Sequence, residues 1–115
     1  MLRASLPTTE LTLAWTHSVE KTRWEERYVI EGERLRLTEA RIQGLGAGME
    51  PPAGAHLVDG WWTWQPALEP LPALRLTHSS YTRDYLICWP NRCSPLSELA
   101  GAMGEGEAVT VAPCV

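Results

Sequence analysis

The sequence predicts an all-β fold, a single antiparallel β-barrel or β-sandwich spanning residues 1–115 with at most one short helix. Three observations carry that prediction. Short runs alternate apolar and polar residues, turn signals bound nearly all of them, and the helical candidate, Leu96 to Ala102, makes about two turns at best. Many short strands at such spacing describe a barrel or a sandwich.

Glu10 to Ser18 reads as the first strand, with Leu11, Leu13 and Trp15 on one face and His17 in the same phase at the rim. Arg23 to Ile30 and Glu33 to Ile42 read as the second and third, joined by a tight turn at Glu31-Gly32. That turn sets an expected register in which Tyr28 faces Leu35, Glu26 faces Leu37 and Trp24 faces Glu39. One face then carries Trp24, Glu26, Tyr28, Ile30, Leu35, Leu37 and Glu39. The other is a solvated charge ladder of Glu25, Arg27, Val29, Arg34, Arg36 and Thr38.

Gly44, Gly46 and Gly48 precede Met49 and the pair Pro51-Pro52, which marks a loop or bulge; a dinucleotide fingerprint would need a helix opening where these prolines stop one. His56 to Val58 and Trp61 to Trp64 flank Asp59-Gly60, the strongest short hairpin signal in the chain. Alternation puts Trp62 and Trp64 on one face and Trp61 on the other. Pro66, Pro70 and Pro72 bar the next segment from a central strand and suit an extended run along an edge. Leu74 and Leu76 with His78 repeat the first strand's pattern, Tyr81 to Cys88 and a short return strand follow, Leu96 to Ala102 is the helical candidate, and Ala108 to Ala112 closes the chain. Thr77-His78-Ser79 also echoes Thr16-His17-Ser18, which suggests two related halves.

Composition narrows the class. A chain of 115 residues suffices for one core, burying roughly two-thirds of the unfolded surface. Its aromatic palette is six Trp and three Tyr with no Phe, so each of these rings brings a polar atom that needs a partner. The formal net charge is −4 and the basic residues are scattered, which removes the electrostatic footprint of nucleic-acid binding. No apolar run approaches a membrane span, so membrane insertion is not expected, and Met1 to Pro7 is too short and polar for a signal peptide. On the residues alone the chain reads as soluble and unexported.

Cys88 and Cys93 flank Trp89-Pro90-Asn91-Arg92, so the thiols can meet across a hairpin end. This spacing suits a short disulfide, while reduced thiols remain compatible with it. Zinc would need further ligands, and only Cys114 and three scattered His are on offer; no metal and no cofactor is expected.

The chemistry-bearing stretch is His17, Ser18, Glu20 and Lys21 with Trp24, Glu26 and Glu39. In the expected register Glu26 and Glu39 share the apolar face, where two desolvated carboxylates raise at least one pKa unless His17 or Lys21 joins them as a cation. Trp24 would wall the cleft, and Gly46, Gly48 and Met49 would form a neighbouring loop. No catalytic residue is assigned, because no nucleophile elbow is present and His17 and Ser18 point to opposite faces.

His17-Ser18-Val19-Glu20-Lys21, Trp24-Glu25-Glu26, Gly44-Leu45-Gly46-Ala47-Gly48-Met49, Asp59-Gly60-Trp61-Trp62, Ser79-Ser80-Tyr81-Thr82 and Pro113-Cys114 occur here in an order that resembles the domain of unknown function 1850 family over nearly the whole chain. These are small exported bacterial proteins encoded beside TAXI-type TRAP transporters. The resemblance implies a periplasmic β-domain and a non-enzymatic accessory or binding role, with a transporter membrane or solute-binding component, or a small anionic solute, as partner. The rival expectation is a small hydrolase or proton-transfer enzyme using His17 with Glu26 or Glu39. The family's export signal and early cysteine are not found in this sequence, which leaves Cys114 without a mate. If the compartment carries over, Cys88 and Cys93 are oxidised.

Overall fold

The computed structural model describes residues 5–16, 22–43, 53–77, 85–90, 92–101 and 106–114. Among these residues nine strands and one helix follow in chain order: β1 (Glu10–Thr16), β2 (Arg23–Glu31), β3 (Arg34–Gln43), β4 (His56–Val58), β5 (Trp61–Trp64), β6 (Leu74–Thr77), β7 (Leu86–Trp89), β8 (Arg92–Pro95), α1 (Leu96–Ala100) and β9 (Ala108–Val111). All pairings between strands are antiparallel. The large sheet runs β4-β5-β3-β2-β1-β7-β8, and β6 pairs with β9 in a second, two-stranded sheet. The architecture is sandwich-like. Its large sheet does not close into a barrel, because β4 and β8 end it without bonding to each other.

One face of the large sheet is the inner one. Leu11 and Leu13 of β1, Tyr28 of β2, Leu35 of β3 and Ile87 of β7 bury there against Leu74 and Leu76 of β6 and Leu96 of α1, with Val109 and Val111 of β9 packed alongside. Alternating Leu-Arg-Leu in β6 therefore works as expected, with both leucines inward and Arg75 exposed. The proline-punctuated stretch also follows its expectation. Leu71, set between Pro70 and Pro72, exchanges both backbone hydrogen bonds with Leu35, at 2.7 and 2.8 Å, and so extends the edge of β3.

The β2–β3 hairpin departs from the expected register. Ile30 faces Leu35, Tyr28 faces Leu37 and Glu31 closes the turn against Arg34, two residues out of the expected phase. The reason lies in the turn. Its loop is Gly32-Glu33, and Gly32 sits at φ 64. A loop of Glu31-Gly32 would ask Glu31 for a special backbone conformation, whereas a loop that starts on glycine puts the positive φ where no Cβ resists it. A second irregularity follows, for the register shifts again between Arg27 and Tyr28, leaving Thr38 as the extra residue of a β-bulge. Beyond it Arg27 faces Glu39, Glu26 faces Ala40 and Trp24 faces Ile42. The bulge keeps Leu35, Leu37, Ala40 and Ile42 on the inner side, although their numbering changes from odd to even.

The Asp59-Gly60 hairpin forms as expected, with φ 49 and 86 at its two residues, the pair of positive values that a type I′ turn needs. Trp62 and Trp64 face Ile42 and Ala40 on the inner side, while Trp61 faces Gln43 on the outer. The helix is shorter than predicted: α1 stops at Ala100, where Gly101 takes φ 85. Cys88 and Cys93 are directly opposed across β7 and β8 and form a disulfide.

Candidate functional site

Two features on opposite faces of the sheet have chemical interest. On the inner face, Trp15 and Trp24 are cross-strand partners at the end where β1 leaves the sheet and β2 enters it. Their rings stack with centroids 6.0 Å apart, and Tyr85, just before β7, meets Trp15 edge-on at 6.0 Å. Glu26 lies two residues beyond Trp24 on the same face, directly between Leu13 and Ala40, both almost fully buried. Tyr28 follows in phase, and its hydroxyl donates a 3.0 Å hydrogen bond to Oε1 of Glu26.

Glu26 is thus a half-buried carboxylate among two indoles and two phenols. Burial raises its pKa above the ordinary carboxylate value, and the Tyr28 hydrogen bond offsets this only in part. The same charge acts on its neighbours. Burial, the nearby carboxylate and its hydrogen bond all push the Tyr28 phenol upward, and burial and Glu26 do the same to Tyr85. Among the described residues no Lys, Arg or His pairs with Glu26. The indole Nε1 of Trp24 is buried and has no acceptor there either. In this cluster the Trp24 N–H is therefore the polar group left without a partner among the described residues, while Glu26 keeps its Tyr28 hydrogen bond and has no cation from them.

The outer face is the reverse case, with its charges already matched. Glu25 accepts from Nε of Arg23 at 2.8 Å and from Arg41 at 2.8 Å through Nε and 2.6 Å through Nη2. Arg41 lies over the Trp61 ring at 4.1 Å from its centroid. Thr12, Glu25, Arg27, Glu39 and Arg41 line a shallow, open depression with a cavity volume of about 10 Å³, far below the roughly 300–1,000 Å³ of small-molecule pockets. Farther along β3, Arg36 forms a bidentate pair with Glu31, whose carboxyl it holds below the usual range.

Of the residues singled out in the sequence, Trp24 and Glu26 lie two apart on β2 and share its inner face. Glu39 does not join them. The bulge at Thr38 turns it to the outer face opposite Arg27, so the expected carboxylate pair is not formed. His17, Ser18, Glu20, Lys21, Gly46, Gly48 and Met49 lie outside the described residues. The strands that flank these segments nevertheless share one end of the sheet, for Thr16, Arg23 and Gln43 cluster there and β7 starts beside Ala14. Sequence reasoning misses Tyr85, which lies within the expected Tyr81 to Cys88 strand, and Trp15, although its phase with Leu11 and Leu13 points to the same face. Among the described residues no group of three or more His, Cys, Asp or Glu could hold a metal.

Residues 11–96 match the model of a family described as a domain of unknown function, DUF1850. The chain belongs to this family. The DUF1850 match runs from Leu11 in β1 to Leu96 at the start of α1, so it takes in the whole aromatic cluster and the disulfide. It stops short of the closing Pro113-Cys114, which narrows the extent expected from the sequence. No curated protein and no solved structure matches the chain. No helix among the described residues is long and apolar enough to cross a membrane.

Proposed function

We propose that this DUF1850 domain is a non-enzymatic accessory of a TAXI-type TRAP transporter and binds a protein component of that system through the inner-face end of its sheet. The transporter association rests on the resemblance of its motifs to proteins encoded beside such transporters. The binding role rests on one observation: Glu26 is half-buried among Trp15, Trp24, Tyr28 and Tyr85 without a cation from the described residues. A carboxylate in that setting destabilises the free protein unless a partner compensates it. Carboxyls perturbed by burial are concentrated at functional sites.

A small anionic solute fits the described surface less well. The depression on the outer face is small and open, carries two carboxylates, and its Arg41 is already engaged by Glu25 and Trp61. The rival enzyme reading, His17 with Glu26 or Glu39, is left with one of the two carboxylates on the inner face, because Glu26 and Glu39 sit on opposite faces. A periplasmic location follows from the same resemblance, and the Cys88–Cys93 disulfide suits an oxidising compartment.

Capture of the cognate transporter's membrane and solute-binding components by purified domain tests the reading. Wild type and Glu39→Gln should retain one of them, and Glu26→Gln should release it. Retention of neither component by the wild-type domain would refute the accessory role.

A further inference from the structure

We infer that Glu26 and the rings of Trp15, Trp24 and Tyr85 form a receptor for one organic cation, the ammonium or guanidinium end of a basic side chain. The inference rests on the binding role proposed above and specifies the chemistry by which the partner is recognised.

The chemical class follows from the residues. A carboxylate selects positive charge, and indole and phenol faces attract a cation through their quadrupoles. An apolar side chain would leave Glu26 desolvated and unpaired, and an anion would be repelled by it. A hard metal ion would want several oxygen ligands, whereas the described neighbours of Glu26 supply the Tyr28 hydroxyl and apolar groups. An alkylammonium satisfies both halves of the cluster, because its methylenes lie on aromatic and leucine surface while its charge meets the carboxylate.

The group is also organised in advance. Trp15 and Trp24 brace each other at 15° between planes, Tyr85 abuts Trp15, and Tyr28 fixes Oε1 of Glu26, leaving Oε2 without a hydrogen bond from the described residues. Rings held in place lower the ordering cost of binding. The chain uses the same chemistry internally on its outer face, where Arg41 covers Trp61 while binding Glu25. The inner cluster has the ring and carboxylate of that arrangement without its cation.

Titration of the intact domain with N-acetyl-lysine methylamide, followed by indole N–H shifts of Trp15 and Trp24, tests the inference. N-acetyl-norleucine methylamide serves as the uncharged control, and n-butylammonium as a free amine. Saturable binding with Kd on the order of 1–10 mM is expected for the lysine probe. It should weaken at least about tenfold in Glu26→Gln, which keeps the acceptor for Tyr28, and weaken also in Tyr85→Leu, while Glu39→Gln leaves it unchanged. A lysine probe that binds better than n-butylammonium assigns the site to a protein side chain; equal affinity assigns it to a free amine and overturns the protein source.

Equal binding of the norleucine probe, or no loss in Glu26→Gln, would overturn the inference. So would binding that emerges only in Lys21→Met, since the chain's own lysine would then be the cation. Capture of a transporter component without any lysine-probe binding would sink this inference and leave the accessory role standing. Probe binding without capture would do the reverse.

Discussion

Trp15 and Trp24 are directly opposed on β1 and β2, with ring centroids 6.0 Å apart and planes at 15°. This contact fixes the end of the sheet from which the segment carrying His17 to Lys21 departs and returns. It also sets the wall beside Glu26. A double-mutant cycle with Trp15→Leu and Trp24→Leu should show a coupling of about 0.5–1.5 kcal/mol in urea unfolding. Strictly additive losses would mean that the rings do not stabilise one another.

The buried setting of Glu26 predicts an unusual pH dependence. Its folded pKa is raised from 4.5, so between the unfolded and folded values the native state holds the extra proton. Wild-type stability therefore falls as pH rises through that window, and the loss persists above it. Glu26→Gln should be more stable than wild type at about pH 8 and equal to it near pH 3.5. A variant less stable than wild type at pH 8 would show that the charged carboxylate is compensated.

The bulge offers a test of register. Removing Thr38 brings Leu35, Leu37, Ala40 and Ile42 into unbroken alternation and leaves Arg27 facing Glu39, so the deletion should fold cooperatively with a loss on the order of 1 kcal/mol. Removing Arg36 instead sends Leu37 outward and should abolish the cooperative transition. Equal tolerance of the two deletions would contradict the described pairing.

On the outer face the two arginine pairs should differ in worth. Arg41 holds the largely buried Glu25 and covers Trp61, whereas Arg36 and Glu31 are both well exposed. Arg41→Ala should cost about 1–2 kcal/mol. Arg36→Ala should change stability far less than Arg41→Ala does. Chemical denaturation of the two variants settles their order.

The cysteines give a mass-spectrometric expectation. Alkylation without reductant should label Cys114 alone, and reduction should expose Cys88 and Cys93 as well. Loss of this short bridge should lower stability by about 2 kcal/mol. Labelling of all three without reductant would contradict the disulfide.

Much of this fold was legible because apolar phase alone decides it. Leu11 and Leu13, Leu74 and Leu76, the Asp59-Gly60 hairpin and the opposed cysteines each follow from local spacing. The hairpin register was not, because turn position depends on which residue bears the positive φ, and Gly32 admits two frames. The phase change from Leu35 and Leu37 to Ala40 and Ile42 is the written trace of the bulge. Reading it would have turned Glu39 outward and separated it from Glu26. Tyr85 was hidden for another reason, since its meeting with Trp15 joins segments far apart in the chain and no local period encodes that contact.

The carboxyl titration of Glu26, followed by carbon-13 NMR of glutamate side chains with Glu26→Gln as the assignment control, tests the central claim most directly. An uncompensated carboxylate in the aromatic cluster predicts a midpoint above 4.5, moving downward when the lysine probe is added. A midpoint below 4.5 in the free protein would mean that a cation already occupies the site, and the proposed receptor would be closed.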